Sequence, residues 1–103
     1  MGVELNEDRW CVIRPLLDPA SVAANTTAEQ TFTVPGLKIG DVVHVSRLAF
    51  TAGLMVGAAG RVTAADTLAI TFGNFTGSPI DPTAAFFRLW VFRPEKVFDS
   101  VTL

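Results

Sequence analysis

The stretch RVTAADTLAITFGNFTGSPIDP, residues 61–82, decides the fold. From Thr67 to Gly73 it alternates. Leu68, Ile70 and Phe72 project one way, and Thr67, Ala69, Thr71 and Gly73 the other. A period of two marks a strand with one buried face. Thr63-Ala64-Ala65-Asp66, just before it, suits a tight turn, because Thr and Asp side chains bond nearby backbone amides. The expected unit is a hairpin whose second strand runs from Asp66 to Asn74. A loop comes next, in which Pro79 and Pro82 exclude regular structure. That polar loop is either a site or the rim of a scaffold.

Working outward, the same period recurs. Gln30, Phe32 and Val34 share one side of a strand from about Ala28 to Val34, with Thr31 and Thr33 on the other. Thr26-x-x-Glu29 matches a helix capping box, but the residues after it are β-patterned and rich in types that favour pleated surfaces. A turn at Asn25–Thr27 and a short strand at Ser21–Ala24 precede it. Val34-Pro35-Gly36-Leu37 suits a type II turn, with Pro fixing φ and Gly supplying a positive φ. Gly40-Asp41 marks another turn. Asp41 to Arg47 then reads as a strand with Val43 and Val45 inward and His44 and Ser46 opposite. Gly53 to Val62 reads as one extended apolar segment. Ala84 to Arg93 is the last strong strand: Phe87, Leu89 and Val91 make one face, and Phe86, Trp90 and Phe92 the other, interrupted by Arg88.

About six strands with regular turn signals and no convincing helix predict an all-β, single-domain antiparallel β-sandwich or small barrel over residues 20–94. Residues 1–19 read as an N-terminal arm or edge strand. There Trp10 and Val12 alternate with Cys11 and Ile13 until Arg14-Pro15, and Pro is tolerated at sheet edges. Residues 95–103 read as a C-terminal tail.

Composition bounds the function. The chain has 103 residues, 50% of them hydrophobic and 17% charged, with a mean hydropathy of +0.41. A chain this size buries roughly 60–65% of its unfolded surface, too little to hide that much apolar side chain. A subunit interface is the simplest outlet for the surplus. Both faces of the last strand are bulky, whereas a strand at the surface of a lone domain keeps one face polar. Phe86, Trp90 and Phe92 are therefore the expected oligomer interface. The net charge of −2 is spread along the chain with no basic stripe, which argues against direct nucleic-acid binding. The longest uncharged run, LAFTAGLMVGAAG between Arg47 and Arg61, is too short to span a bilayer, which needs about 20 residues. Its Gly53 and Gly57 have GxxxG spacing, but a Gly-rich strand or loop is the better reading. The N-terminus, MGVELNEDRW, lacks the basic start and apolar core of a secretory signal.

Candidate chemistry is sparse. Nucleophilic catalysis needs a nucleophile, a base and an orienting group. The single cysteine, Cys11, and the single histidine, His44, are the only pair of that kind, and nothing in their spacing joins them. One histidine and one cysteine argue against zinc. Calcium would have to use Asp66, Asp81 and loop carbonyls. No phosphate-cradling glycine motif is present. Asn25-Thr26-Thr27 and Asn74-Phe75-Thr76 match glycosylation acceptors, a short motif common by chance. Trp90 could stack on a sugar, but a Trp among Phe residues on a strand is more often core or interface. No enzyme activity, cofactor or metal is expected.

The segments ASVAANTTAEQTFTVPGLKIGDVVHV (20–45) and RVTAADTLAITFGNFTGSPIDPTA (61–84) resemble a group of small β-structured bacteriophage virion proteins. In that group a Thr-rich strand leads into Val-Pro-Gly-Leu, then Gly-Asp, a Val-rich strand, an Arg-Val-x-Ala-x-Asp-Thr hairpin and a polar loop. The resemblance spans roughly residues 20–94. It implies a non-enzymatic structural protein of the virion, assembled in the host bacterial cytoplasm. Its leading expectation is a capsid decoration protein that binds the major capsid protein, or other virion proteins, as a homo-oligomer. A trimer would suit capsid three-fold positions. Trp10, Val12, Ile13 and Arg14 are then expected in a capsid-binding arm. The alternative is a tail- or fibre-associated receptor- or glycan-binding module that uses Asn74, Phe75, Thr76, Ser78 and Asp81.

Overall fold

The computed structural model describes residues 9–94. Their regular structure is all β: β1 (Arg9–Ile13), β2 (Leu16–Leu17), β3 (Thr26–Thr33), β4 (Val42–Arg47), β5 (Leu54–Val56), β6 (Ala59–Ala64), β7 (Thr67–Asn74) and β8 (Ala85–Arg93). They form one antiparallel sheet in the order β1-β8-β4-β6-β7-β3. β2 also pairs with β8, and β5 with β7. No ladder joins β3 to β1 among the described residues, so the sheet is open.

The chain turns a corner inside β6. Ala59 and Gly60 pair with β4, whereas Arg61, Val62 and Ala64 pair with β7. Gly60 permits this. A Cβ there would lie 2.7 Å from Leu68 Cδ1 and 3.0 Å from Val45 Cγ2, so only hydrogen leaves room for β4 and β7 to close on the strand. Beyond the corner the two halves face each other. Phe32 of β3, Phe72 of β7 and Phe87 of β8 pack with ring centroids 6.2 to 6.5 Å apart. Val43, Val45, Leu68, Ile70, Leu89 and Val91 fill the space around them.

The alternation expected for the 67–73 strand is present: Leu68, Ile70 and Phe72 are fully buried, and β7 pairs along its length with β3. The turn before it is tighter than expected. β6 continues to Ala64, and Asp66 has φ +60°. Asp66 Oδ1 accepts from Gly36 N at 2.7 Å, and Asp66 N donates to Leu37 O at 2.9 Å. These bonds tie the hairpin to the Val34–Leu37 turn, where Gly36 has φ +98°. The 53–62 segment is two strands, because Gly57 interrupts it and its N donates to Thr71 O. At Ser21–Ala24 there is only one bridge, Val22 to Ile80. The Thr26-x-x-Glu29 segment lies in β3 and not in a helix.

Of the two readings of the leader, residues 9–17 form an edge strand along β8. Pro15 interrupts it without shifting the register: Ile13 opposes Leu89 and Leu16 opposes Phe86. Pro15 still contributes its carbonyl, which accepts from Phe87 N at 2.9 Å. Residues 1–8 and the expected tail, 95–103, lie outside the described residues.

Candidate functional site

The two sets of residues singled out in the sequence, on β8 and near the N-terminus, share one surface. Trp10 opposes Phe92, which opposes Val42. The next row is Val12, Trp90 and His44. Arg88 and Ser46 make the row after it. Leu16 opposes Phe86, and Leu48 N donates to Phe86 O. The period of two puts all of these on the outer face of the β1/β2–β8–β4 half, away from Phe87, Leu89 and Val91.

This face is both apolar and exposed. Trp10 is 68% exposed, Leu16 and Val42 are each 59%, and Trp90 is 47%. Val12, Leu48 and Phe86 are also exposed. With aromatic side chains presenting about 150–250 Å² each, the seven together expose on the order of 700 Å². That exceeds the roughly 300–600 Å² of the largest patch on a typical monomer and approaches the ~800 Å² that each partner gives a standard interface.

The outer face of the other half is more polar. β3 presents Thr27, Glu29, Thr31 and Thr33, and β6 presents Arg61 and Thr63. Arg61 reaches across β7 to Glu29 at 2.6 Å. The hydrogen bond from Arg61 holds the Glu29 carboxyl below its usual pKa. The large exposed apolar side chains on this half are Met55, which opposes Gly73, and Phe75 next to it.

Among the described residues, charge on the apolar face is cationic. The Arg14 guanidinium stacks over the Phe86 ring at 4.5 Å, a favourable arrangement for a cation and a ring face. Arg88 lies between Trp90 and Phe86 along β8. No Asp or Glu occurs in these cross-strand rows. Ile13, grouped with Trp10, Val12 and Arg14 by sequence, points the other way and packs against the core.

The polar loop is a built structure. Asn74 is fully buried. Its Nδ2 donates to Val22 O and Ser78 O, at 3.0 and 2.8 Å. Its Oδ1 accepts from Thr76 N and Thr76 Oγ1, at 2.9 and 2.7 Å. Both donors and both acceptor positions of the amide are used inside the fold. Phe75, Ser78 and Asp81 are exposed, and Thr76 is half-buried. Arg47 makes a second clamp, donating to Ala49 O, Thr51 Oγ1 and Thr83 O.

Cys11 and His44 are not brought together. Cys11 opposes Val91 on β8, whereas His44 opposes Trp90, so their side chains leave opposite faces of the sheet with β8 between them. Among the described residues no three His, Cys, Asp or Glu side chains gather to hold a metal. A cleft of about 280 Å³ opens where β1 meets the Val34–Leu37 turn, lined by Cys11, Ile13, Pro35, Leu37, Val91 and Arg93 among others. Beside it Arg93 grips Asp41 with two hydrogen bonds of 2.7 Å and reaches Gly36 O at 2.8 Å. Those bonds to Arg93 are the main reason the Asp41 carboxyl titrates below its usual range. The pair anchors the Gly40–Asp41 turn to the end of β8.

Sequence reasoning missed Leu16, Val42 and Leu48 as members of the face. Val42 was legible from parity, since it shares its side with His44. Leu16 and Leu48 lie beyond Pro15 and at the end of β4, where alternation alone carries no register. No family model, curated protein or solved structure matches the chain.

Proposed function

We propose that this chain is a non-enzymatic structural protein of a bacteriophage virion, namely a capsid decoration protein that works as a homo-oligomer on the major capsid lattice. One observation carries the reading: a broad apolar face on the β1/β2–β8–β4 half of the sheet, larger than the Met55–Phe75 pair that the other outer face exposes among its polar side chains. Such a surface is suited to permanent contact with protein. The resemblance of residues 20–94 to small phage virion proteins supplies the biological setting. We read the curled sheet as a sandwich-like scaffold whose halves share the Phe32–Phe72–Phe87 core. A trimer at three-fold capsid positions is one stoichiometry for this role, and a dimer is another.

The same face holds both the β8 set and the β1 set, so it cannot serve a subunit contact and a separate lattice contact in full at once. Lattice binding then falls to other exposed apolar groups, of which Ile39, Phe50 and Phe75 are the most prominent at loop tips.

The test is to separate phage particles that carry this chain into heads and tails and to detect it by mass spectrometry. Recovery with heads, at many copies per particle, is the expected result. Absence from particles contradicts a virion role. Recovery with tails alone would move the protein to the receptor- or glycan-binding alternative, for which the loop side chains of Phe75, Ser78 and Asp81 are the exposed candidates.

A further inference from the structure

We propose that the apolar β1/β2–β8–β4 face is closed by the same face of a second copy, related by a two-fold axis that lies in the interface and runs across the strands between Trp90 and Arg88. The inference rests on the homo-oligomeric reading above and specifies its geometry.

The area suits a second copy. The exposed apolar surface, on the order of 700 Å², is close to the ~800 Å² per partner of a stable interface. Two antiparallel faces pack at a spacing of about 10 Å with their strands within about 30° of each other. An isologous contact uses up this patch on both copies and so closes the assembly at two through it.

Charge selects the register. Two in-plane axes can stack identical faces. An axis along the strands would keep each row against itself, putting Arg88 over Arg88 and Trp90 over Trp90. Like charges would then meet in a drying interface. The axis across the strands reverses β8. It brings Arg88 of each copy over Trp90 of the other, and Arg14 over Val12. It also sets the aromatic end of the face, Trp10 and Phe92, against the end made by Leu16 and Phe86. Among the described residues the face presents no carboxylate to its arginines, so rings meet them, as Phe86 already does for Arg14 within one copy. Around a three-fold axis centred on β8, three Arg88 side chains would converge instead.

The experiment is sedimentation equilibrium on the full chain and on two matched variants, Trp90→Glu and Trp90→Lys. Both remove the same ring, but the crossing axis places position 90 against Arg88 of the other copy. The wild type is expected as a dimer. Trp90→Glu, which offers Arg88 a carboxylate, is expected to dimerise at least ~10-fold more tightly than Trp90→Lys, from the usual coupling of close interfacial charges. Equal weakening, or the reverse order, overturns the register. If circular dichroism shows either variant unfolded, Val12→Glu and Val12→Lys make the same comparison against Arg14. A wild-type trimer would overturn the two-fold pairing and leave the homo-oligomeric reading standing. A monomer at all concentrations would overturn both, without bearing on whether the chain is found in heads.

Discussion

Trp10 of β1 and Phe92 of β8 are directly opposed across the ladder, their ring centroids 5.6 Å apart and their planes at 79°. This edge-to-face contact joins the N-terminal strand to the last strand and makes their outer surfaces one. Such a pair contributes about 0.5–1.5 kcal/mol beyond simple burial. Trp10→Ala should therefore cost the isolated fold only about 1 kcal/mol in denaturant unfolding, while weakening self-association much more. Equal losses in both assays would mean that Trp10 serves the fold alone.

Gly60 marks the corner at which β6 leaves β4 for β7. Gly60→Val should destabilise the protein by about 1–3 kcal/mol or more through overpacking against Leu68 and Val45. The thermal midpoint checks it. An unchanged midpoint would mean that the two halves of the sheet are less tightly apposed than the contacts at Gly60 imply.

Asn74 holds its loop by four hydrogen bonds. Asn74→Ala should cost about 2–4 kcal/mol, since buried partners lose their bonds. Amide exchange at Thr76 should accelerate. A glycan on Asn74 is incompatible with this fold, because both Nδ2 hydrogens are used inside it. A natively folded protein with a mass increase mapped to Asn74 would contradict this.

Asp41 sets the acid limb of stability. Arg93 depresses its folded-state pKa, so its contribution is fully present above the unfolded value of about 3.9. The contribution is lost as pH falls through the depressed folded value. Unfolding free energy should therefore drop on acidification below about pH 4. Asp41→Asn should flatten that drop and lower neutral-pH stability by about 2 kcal/mol, the size of charge-assisted bonds. Glu29→Gln should alter the curve far less, because both partners of that ion pair are exposed. If the two variants behave alike, the Asp41–Arg93 bond is not a structural anchor.

Much of this was legible in the sequence wherever a period of two was unbroken. The alternation at 67–73 and at 85–93 assigned each side chain to its face, and Val43, Val45 and His44 obeyed the same rule. What escaped depended on pairing at long range. The fusion of the Trp10 and Trp90 sets into one surface needs the β1–β8 register, and Pro15 hid the continuation to Leu16. The split of 53–62 into β5 and β6 depends on Gly57 bonding to Thr71 and on the room at Gly60, both of which are tertiary facts. The loop at 74–82 was polar in composition, yet its key asparagine is buried because Val22, far off in the sequence, supplies an acceptor.

Everything proposed for function depends on the β8 face being covered in the working protein. Both tryptophans of the chain, Trp10 and Trp90, lie on that face, so their fluorescence reports on it directly. The decisive experiment is tryptophan emission and acrylamide quenching of the wild-type protein over a dilution series. A covered face gives a blue-shifted, quench-resistant signal at high concentration that turns red and quenchable on dilution, with the fold intact by circular dichroism; this is the expected result. Red, fully quenchable emission at every concentration would contradict it.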